Sequence, residues 1–460
     1  MCAADRDTIF ALSSGRVPAA IAVVRLSGPR SGFALQKMIG RLPEPRRATL
    51  ARVRHPTSGD VIDQALALWF PGPNSETGED MAELQLHGSR AVVAAVLAAL
   101  GTLDGFRPAV AGEFTRRAFE NGNVDLTAVE GLADLVAAET EMQRRQALAQ
   151  LQGGLSRRAE AWRARLIEAL ALVEAGIDFV DESDVPKNLL PDALASAGAV
   201  AREIDSALAG ASRGERLREG YVVAIAGPPN AGKSTLLNRL AEREAAIVSP
   251  YPGTTRDVIA VHFDLGGYPV TLLDTAGLRE SEDSVEQEGV RRARQSAAGA
   301  DLVLWVTDAG AGDLDALADG KGNGVQSART FVVLNKIDLL DAGRRQQIAS
   351  ELAGRGDVHL ISAASGEGTD RLLAALAHSA ESYFTAEPAL VTRERQRNVL
   401  SETRKALAAA LASGQGADQV ADELLAEELR LALRGLGRLT GRVDVEDILD
   451  VIFRDFCIGK

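Results

Sequence analysis

The chain has little cysteine, few aromatic residues and no long apolar run among its 460 residues. Its two cysteines, Cys2 and Cys457, stand at opposite ends, which argues against a disulfide framework and a paired-cysteine metal site. No apolar run could cross a bilayer, and the polar start lacks the apolar core of a signal peptide, so we expect a cytoplasmic protein without a membrane span. A formal net charge of −13 argues against nonspecific binding of nucleic acid by bulk charge but does not exclude a local basic groove.

The composition and length of the chain are those of a globular protein with several domains. Hydrophobic residues make up 46% and charged residues 25% of the sequence, values typical of a globular protein. At roughly 150 residues a domain, the length predicts about three domains.

The first part of the chain, up to about residue 120, has the pattern of a mixed α/β domain. Apolar or alternating runs predict strands at Ala19 to Leu26, Thr49 to Val53, Ala65 to Phe70 and Glu83 to His87. A packed helix is predicted from Ala91 to Leu100.

From Leu126 onward, apolar residues keep helical spacing over a long stretch. Another helix is predicted up to about Ala209, and helices resume at Glu394 to Leu411 and Asp418 to Leu433. Because helices flank an α/β pattern, we predict an α/β module inserted into one discontinuous helical domain, an arrangement that could couple loop movements to the helices. The predicted boundaries are 1–122 for the N-terminal domain, 123–218 and 385–460 for the two helical parts, and 219–384 for the inserted module.

Some polar residues outside the main motifs have both a functional and a structural interpretation. His87 could be catalytic, but a hydrogen-bonded structural histidine is favoured. Asp181 and Asp184 could bind a metal, but a helix-ending turn is favoured. A row of arginines recurs every four residues and could contact phosphate, although nearby glutamates and the predicted helix breakers Gly435 and Gly437 favour a solvated face. These arginines are Arg430, Arg434, Arg438 and Arg442.

A complete phosphate-binding loop, Gly227-Pro228-Pro229-Asn230-Ala231-Gly232-Lys233-Ser234, stands between an apolar strand at Tyr221 to Ala226 and a predicted helix from Thr235 to Ala241. Its glycines let the backbone wrap phosphates, so that amide N–H groups and the helix dipole face the anion. Lys233 would reach the outer phosphates, and the Ser234 hydroxyl would bind Mg²⁺, which prefers hard oxygen ligands. A glycine turn without a ligand is the weaker interpretation.

Four further motifs follow in the order that a GTPase requires. Gly253-Thr254-Thr255-Arg256-Asp257 offers a threonine hydroxyl that could complete the magnesium shell and sense the γ-phosphate. In Asp274-Thr275-Ala276-Gly277, Asp274 can hold the magnesium ion through water, and the Gly277 amide can bind the γ-phosphate.

The last two motifs are those that would bind the base. Asp338, in Asn335-Lys336-Ile337-Asp338, can accept hydrogen bonds from N1–H and the exocyclic amine of guanine, a pair that adenine cannot supply. Ser362-Ala363-Ala364 can offer backbone N–H to the guanine carbonyl. Four of the five motifs come directly after apolar strands, and together they predict a GTPase.

The predicted GTP contacts lie in these five motifs and in the loop before the second. They are Asn230, Ala231, Gly232, Lys233, Ser234, Thr235, Ser249, Pro250, Tyr251, Pro252, Gly253, Thr254, Thr255, Asp274, Thr275, Ala276, Gly277, Asn335, Lys336, Asp338, Ser362, Ala363 and Ala364.

Hydrolysis needs a group that orients water, and the usual one is missing. A Ras-type enzyme has glutamine after the Asp-x-x-Gly motif, where this chain has Leu278. Leucine cannot orient water, so we expect a replacement in the acidic stretch from Glu280 to Glu288, although most of its acids are surface residues.

Together with the helical flanks and the loop from Ser249 to Asp257, the sequence resembles the MnmE (TrmE) family of tRNA-modification GTPases over essentially its whole length. The most specific parts are Phe70-Pro71-Gly72-Pro73-Asn74-Ser75, Gly78-Glu79-Asp80, Gly112-Glu113-Phe114, Arg117-Ala118-Phe119 and the end, Cys457-Ile458-Gly459-Lys460.

The resemblance implies an N-terminal folate-binding and dimerising domain, a helical domain and an inserted GTPase domain. It also implies a homodimer that forms a heterotetramer with an FAD- and NADH-using partner of the MnmG (GidA) family. Together these proteins would install an aminomethyl or carboxymethylaminomethyl group at C5 of the wobble uridine in certain tRNAs.

The resemblance further implies a potassium ion in place of an arginine finger. Its matching ligands are Asn230, Ser249, Tyr251 and Thr254, and the cation would neutralise charge that develops on the phosphate oxygens. Glu286 matches the catalytic glutamate of the family and would orient water indirectly. With Lys233 and an assisting Arg279, it completes the implied catalytic set.

For the folate, 5-formyl- or 5,10-methylene-tetrahydrofolate, the matching positions are Arg25, Glu83 and Lys460, and the two cations could pair with carboxylates. A further position that is commonly lysine is Asn123 here, which could supply only a neutral hydrogen bond. Cys457 lies in the C-terminal motif, where it could act in the modification or simply pack as a buried cysteine.

Two other functions compete with this interpretation. One is a GTP-switched, RNA-binding ribosome-assembly factor of the Era/Der type, which should carry a basic module with a GXXG loop after the GTPase domain. The tail here is predicted to be helical instead. The other is a small-molecule aminomethyltransferase with a regulatory GTPase domain, which the folate-type N-terminus suggests.

Overall fold

The structure is a computed structural model of the chain. It describes residues 7–178, 189–243, 259–274, 299–310, 329–352, 357–384, 389–414, 419–443, 449, 452–454, 456 and 458–459. The chain forms two compact units, of which the first comprises residues 1–133, 150–197 and 405–460 and the second comprises residues 134–149 and 198–404. The first unit is therefore discontinuous in sequence, and most of the second is inserted into it. Because two units do not separate three domains, the predicted boundaries at 122, 218 and 384 stay predictions.

In the described part of the first unit, six strands form one sheet in the order β3-β4-β5-β2-β1-β6. Their bounds are Thr8–Leu12 for β1, Ile21–Ser27 for β2, Thr49–Arg54 for β3, Val61–Phe70 for β4, Met81–His87 for β5 and Phe106–Pro108 for β6. Neighbouring strands are antiparallel except β1 and β6. The strands predicted from alternation are confirmed, since residues such as Leu84 and Leu86 are buried on one face of the sheet.

Two helices, α1 (Ser31–Ile39) and α2 (Arg90–Gly101), pack against that face. Helix α2 begins after Ser89, whose hydroxyl accepts a hydrogen bond from the amide of Val92 at 3.1 Å. Such a cap satisfies one of the amides that a helix start leaves without a partner. At the end of β5, His87 Nδ1 lies 2.8 Å from Asp63 Oδ1, so the expected hydrogen bond of this histidine is present.

A run of helices follows the sheet. It consists of α3 (Glu113–Glu120), α4 (Leu126–Ala137), α5 (Glu141–Leu151), α6 (Gly154–Asp178), α7 (Leu190–Ala209) and α8 (Ala211–Glu219). Helix α6 buries Trp162, Leu166 and Val173 along one stripe, as the sequence spacing predicts. Asp181 and Asp184 lie outside the described residues.

The second unit is built on a sheet whose order in the described residues is β12-β11-β10-β7-β9-β8. The strands are β7 (Tyr221–Ala226), β8 (Ile259–Leu265), β9 (Tyr268–Asp274), β10 (Leu302–Asp308), β11 (Arg329–Asn335) and β12 (Val358–Leu360). All described neighbours are parallel except β8 and β9. Parallel strands are buried on both faces, which explains their nearly continuous apolar sequences.

Three helices of this unit are α9 (Lys233–Arg243), α10 (Ala342–Glu351) and α11 (Thr369–Phe384). They contribute Leu236, Leu240, Ile348, Leu372 and Leu376 to the cores on the two faces of the sheet. The carboxyl ends of β7, β10 and β11 lie at one edge, where ligands bind in open α/β sheets.

Two long helices, α12 (Glu394–Ser413) and α13 (Gln419–Thr440), follow. Helix α13 continues through Gly435 and Gly437, so the prediction that these glycines break the helix is wrong. Each glycine costs about 1 kcal/mol in a helix, but the buried neighbours Leu436 and Leu439 favour its continuation.

The two arginines at the ends of the row, Arg430 on α13 and Arg442 two residues beyond the end of α13, are ion-paired, as the interpretation of a solvated face predicts. Arg430 pairs with Glu174 at 2.7 Å and Arg442 pairs with Glu160 at 3.0 Å, both on α6. Because the later arginine pairs with the earlier glutamate, the chain runs in opposite directions along α6 and α13. Among the described helices, none combines the length and apolar character that a membrane crossing needs.

Candidate functional site

The phosphate loop connects β7 to α9, as the sequence predicts. Gly227 has φ of +142°, and a Cβ atom there would collide with the carbonyl oxygen of Val306. Gly232 has φ of +90°, and a Cβ atom there would collide with the side-chain amide of Asn335. Both positions therefore require glycine, for backbone conformation and for space.

Lys233 already lies over this loop. Its ammonium group donates hydrogen bonds to the carbonyl oxygens of Gly227 at 3.0 Å and Pro228 at 2.8 Å. Ser234 and Thr235 follow on the exposed first turn of α9. The loop thus holds a positive charge beside a helix N-terminus, an arrangement that favours anions such as phosphate.

Asn335, at the end of β11, joins the phosphate loop to the predicted base-binding loop. Its Nδ2 donates to the carbonyl oxygen of Ala231 at 2.8 Å, and its Oδ1 accepts from the amide of Ala363 at 2.9 Å. The residue is 2% exposed. Because both partners are backbone groups, one buried amide fixes the two loops relative to each other.

Lys336 has a backbone conformation that is rare for a side-chain-bearing residue, with φ of +66°. Its ammonium group lies 2.9 Å from Asp308 Oδ2 at the end of β10, and the amide of Gly310 donates to Asp308 Oδ1 at 2.8 Å. The hydrogen bond from Lys336 lowers the pKa of the Asp308 carboxyl below its ordinary value. Sequence reasoning missed Asp308, although an aspartate two residues after the apolar run Leu302 to Val306 was a usable signal.

Asp338 is exposed on a short 3₁₀ turn, Ile337–Leu339. The amide of Ile337 donates to the carbonyl oxygen of Ile361 at 3.2 Å, which ties this turn to the loop of Ser362-Ala363-Ala364. Ser362 is fully buried, and its hydroxyl accepts from the amide of Ser365 at 3.1 Å. The structure therefore brings the two predicted base-binding motifs together, with the carboxylate of Asp338 open to solvent.

The magnesium residues are described only in part. Asp274 is the last residue of β9, and strand register pairs it with Ile225 of β7, so the backbone places it beside the strand that leads into the phosphate loop. Ser234 and Asp274 are oxygen donors, the type that Mg²⁺ prefers, so the residues present fit this ion. Asn230 has φ of +59°, a conformation in which asparagine is several-fold enriched.

Most other predicted nucleotide, metal and catalytic residues lie outside the described ranges. They are Ser249, Pro250, Tyr251, Pro252, Gly253, Thr254, Thr255, Thr275, Ala276, Gly277, Arg279 and Glu286. The same holds for Cys457 and Lys460.

Arg25 and Glu83 of the first unit face each other across β2 and β5. Their side chains form an ion pair in which Arg25 Nε donates to Glu83 Oε1 at 3.1 Å, and Arg25 Nη1 lies 2.8 Å from Glu76. The guanidinium also lies 6.0 Å from the centre of the Phe114 ring. Arg25 is thus held by two carboxylates and an aromatic ring.

The side chain of Asn123 forms hydrogen bonds with the backbone of the loop that carries Glu76. Its Nδ2 donates to the carbonyl oxygens of Ser75 at 2.9 Å and Glu76 at 3.1 Å. It therefore fixes the loop whose Glu76 side chain contacts Arg25.

A buried cluster of charged side chains lies close to the end of β2, the strand that carries Arg25. Arg117, with its side chain 5% exposed, pairs with Glu79 at 2.9 Å and Glu113 at 3.1 Å, and Arg107 pairs with Glu113 at 2.6 Å. Burial raises the pKa of the Glu113 carboxyl, but hydrogen bonds from Arg107 and the Val110 amide outweigh burial and leave the pKa below its ordinary value. Glu113 is therefore a buried carboxylate held in its charged form.

The C-terminal end docks onto the N-terminal sheet within the first unit. Ile458 forms a backbone bridge with Ala111, and a Cβ atom at Gly112 would lie 2.7 Å from the carbonyl oxygen of Phe453. A Cβ atom at Gly459 would collide with the carbonyl oxygen of Leu12, which pairs with Val24 next to Arg25. Gly459 of the C-terminal motif therefore lies near the strand that carries Arg25.

Fold and site together define a multidomain P-loop GTPase. The family model for the MnmE helical domain matches residues 126–457, and the model for the GTP-binding protein TrmE N-terminus matches residues 8–123. The chain belongs to the MnmE (TrmE) family.

Similar proteins cover the full length. A protein of Bradyrhizobium sp. strain BTAi1 named tRNA modification GTPase MnmE is 56% identical over 455 residues, which are 99% of both chains. A protein of the same name from Rhodopseudomonas palustris strain BisB18 is 56% identical over 458 residues, again 99% of both chains. Among solved structures, Aquifex aeolicus Era bound to GDP.AlF4- is 28% identical, with a TM-score of 0.28, and the match covers 40% of this chain and 66% of that one.

Proposed function

We propose that the chain hydrolyses GTP to GDP and phosphate and that this reaction drives modification of tRNA at C5 of the wobble uridine. The observation that carries the nucleotide part is the buried side chain of Asn335, which joins the phosphate loop to the loop of Ala363. The tRNA part is supported by full-length relatives named tRNA modification GTPase MnmE.

In the proposed complex, the amides of the phosphate loop and the ammonium group of Lys233 bind the phosphates. Ser234 and Thr255 would hold Mg²⁺ directly, and Asp274 would hold it through water. The ion supplies charge stabilisation on the phosphate oxygens during transfer. Lys233 needs only to turn away from the carbonyl oxygens of Gly227 and Pro228 to reach a phosphate.

Guanine would be bound by Asp338 on one edge and by a backbone amide on the other. Asp338 is exposed and accepts from N1–H and the exocyclic amine. Since the amide of Ala363 already donates to Asn335, we assign the hydrogen bond to the guanine carbonyl to the amide of Ala364.

For hydrolysis, we propose that Glu286 orients the attacking water indirectly, with assistance from Arg279. Potassium would be held by Asn230, Ser249, Tyr251 and Thr254, where it would offset the charge that builds up on the β- and γ-phosphate oxygens. Asn230 fits this assignment because it lies in the phosphate loop and its side-chain carbonyl oxygen is the type of donor that a hard cation takes.

A tetrahydrofolate derivative, either the 5-formyl or the 5,10-methylene form, would bind near Arg25 and Glu83, with Lys460 contributing from the C-terminal end. The docking of residues 458–459 beside β1 supports this placement. Asn123 would act by fixing the loop of Glu76, since its amide donates to that loop. Cys457 would lie close to the bound folate and take part in the modification.

We further propose that the chain forms a homodimer through the outer face of the N-terminal sheet. Leu50 of β3 and Leu66 of β4 are register partners and are 59% and 39% exposed, and Ile21 of β2 is 59% exposed. Strand alternation places them on the same face as Arg25 and Glu83. Exposed apolar side chains that share a sheet face are typical of a protein–protein interface.

The homodimer would act in the cytoplasm in a heterotetramer with an FAD-dependent protein of the MnmG type. The test is nucleoside analysis of tRNA from a strain that lacks this chain. The wild-type chain should restore the C5-modified wobble uridine in this strain, and the Lys233→Ala variant should not. The purified Lys233→Ala protein should also fail to hydrolyse GTP. Unchanged tRNA nucleosides in the deletion strain, together with normal GTP hydrolysis by the purified wild type, would reject the tRNA part alone.

A further inference from the structure

Arg239 joins helix α9 to the loop that carries Ala363 and Ala364. Its Nε donates to the carbonyl oxygen of Ala363 at 3.1 Å, and its Nη2 donates to the carbonyl oxygen of Ala364. The side chain is 32% exposed. One planar guanidinium thus holds two consecutive carbonyl groups, an arrangement that a lysine ammonium group does not reproduce.

The position of the Ala363 oxygen determines the direction of the next amide. In a trans peptide, the C=O of Ala363 and the N–H of Ala364 lie in one plane and point in opposite directions. Because the oxygen faces Arg239, the N–H of Ala364 faces away from Arg239.

The backbone amides on either side of Ala364 already donate hydrogen bonds within the protein. The amide of Ala363 donates to Asn335 Oδ1 at 2.9 Å, and the amide of Ser365 donates to Ser362 Oγ at 3.1 Å. Ala364 itself is exposed, and within the described part of the chain its N–H has no hydrogen-bond partner. This amide is therefore the donor that the loop presents to a ligand.

We propose that Arg239 is a positioning residue for guanine recognition, which aims the N–H of Ala364 at the oxygen on C6 of the base. The inference rests on the proposed function, because it requires the nucleotide base to bind between Asp338 and Ala364. Arg239 touches neither nucleotide nor metal in this arrangement. It acts through the direction of one peptide plane.

The test compares two ligands that differ at one atom. GDP and 6-thioguanosine diphosphate share N1–H and the exocyclic amine, but a sulfur atom, the weaker acceptor, replaces the oxygen on C6 in the second. Dissociation constants for both are measured by competition with a fluorescent nucleotide, using the full-length chain with Mg²⁺. Wild type should prefer GDP by about three- to tenfold, the range of one hydrogen bond.

In Arg239→Gln the preference for GDP over 6-thioguanosine diphosphate should fall close to one, and in Arg239→Lys it should be intermediate. The matched control is Glu242→Gln, since Glu242 lies on the same helix, has a side chain that is 73% exposed and approaches Arg239 only to 4.0 Å. This control should keep the wild-type preference. If the glutamine variant does not fold, the lysine variant reports the same ratio.

Equal weakening of both ligands in Arg239→Gln, with the ratio unchanged, would overturn the inference, because it would show that the arginine only maintains the loop. A wild-type chain that binds ADP as tightly as GDP would overturn the proposed nucleotide site and the inference with it. A reduced ratio in Arg239→Gln, with ADP still excluded by wild type, supports both.

Discussion

Asn335 lies 2.8 Å from the carbonyl oxygen of Ala231, although the two residues are 104 positions apart in sequence. The same side chain accepts from the amide of Ala363. The geometry of the nucleotide site therefore depends on one buried amide at the end of β11, where phosphate-binding and base-binding loops meet.

Replacing Asn335 with alanine should weaken GDP binding more than about tenfold and lower the stability of the chain by about 2–4 kcal/mol, because two buried backbone groups lose their partners. Isothermal titration with GDP and thermal unfolding measure the two effects. Asn238→Ala, at an exposed position of α9, is the control and should change neither. Normal GDP affinity in Asn335→Ala would show that the loops hold their positions without this residue.

The effect of a Cβ atom at Gly227 of the phosphate loop can be compared with its effect at Gly266, which lies outside that loop. Both have positive φ, +142° and +65°, but only at Gly227 would a Cβ atom meet another group, the carbonyl oxygen of Val306. Gly266→Ala should cost about 1–2 kcal/mol for conformation alone. Gly227→Ala should cost about 1–3 kcal/mol more and abolish GDP binding. Equal losses in melting temperature for the two variants would contradict the assigned collision.

The parts of this site that could be predicted from the sequence are those whose structure depends on residues close together in the chain. The phosphate loop needs its glycines and lysine at fixed spacing after a strand, so it could be recognised without any long-range information. The contacts of Asn335 could not, because they depend on which strands become neighbours in the sheet. The strand order β11-β10-β7 brings the ends of distant segments to one edge, and no spacing in the sequence encodes it.

The incorrect prediction for α13 has a similar origin. Intrinsic propensity disfavours Gly435 and Gly437 in a helix. The burial of Leu436 and Leu439 favours the helix and depends on packing partners elsewhere in the chain. Asn123 illustrates the same limit, since its hydrogen bonds to the loop of Ser75 and Glu76 come from tertiary structure.

Asp308→Asn should reduce GDP affinity by at most about fivefold, because Lys336 loses an ion pair that is partly exposed. We expect the loss because the side chain of Lys336 would be held less firmly. Lys336 has a left-handed backbone conformation and lies in sequence between Asn335 and the base-binding Asp338. Titration at low and high salt checks the assignment. The loss should shrink at high salt, since screening weakens the wild-type pair, and a loss independent of salt would argue for a packing effect.

The lowered pKa of Glu113 allows a prediction of how the stability of the chain depends on pH. Its pKa is lower in the folded chain than its ordinary value of 4.5, so it stabilises the fold above that pH, and this contribution is lost as the pH falls through the lower folded value. Glu113→Gln should be less stable by about 1–3 kcal/mol at pH 7 and should lose less stability between pH 5 and pH 3 than wild type. Thermal unfolding across that range measures both.

The control for this pH dependence is Glu44→Gln. Glu44 pairs with Arg47, but both side chains are more than 70% exposed, so the variant should stay within about 0.5 kcal/mol of wild type. Parallel curves for wild type and Glu113→Gln would mean that other carboxylates cause the acid sensitivity.

Asn230 offers a direct test of the proposed potassium site. Asn230→Gly keeps the positive φ of +59° without strain but removes the side-chain amide, so GTP binding should persist while stimulation by potassium disappears. The measurement is the GTPase rate in potassium chloride and in sodium chloride at equal ionic strength. Wild type should be faster in potassium, and the glycine variant should show one slow rate in both salts. A glycine variant that is still stimulated by potassium would remove Asn230 from the ligand set, and equal wild-type rates in both salts would reject the cation role altogether.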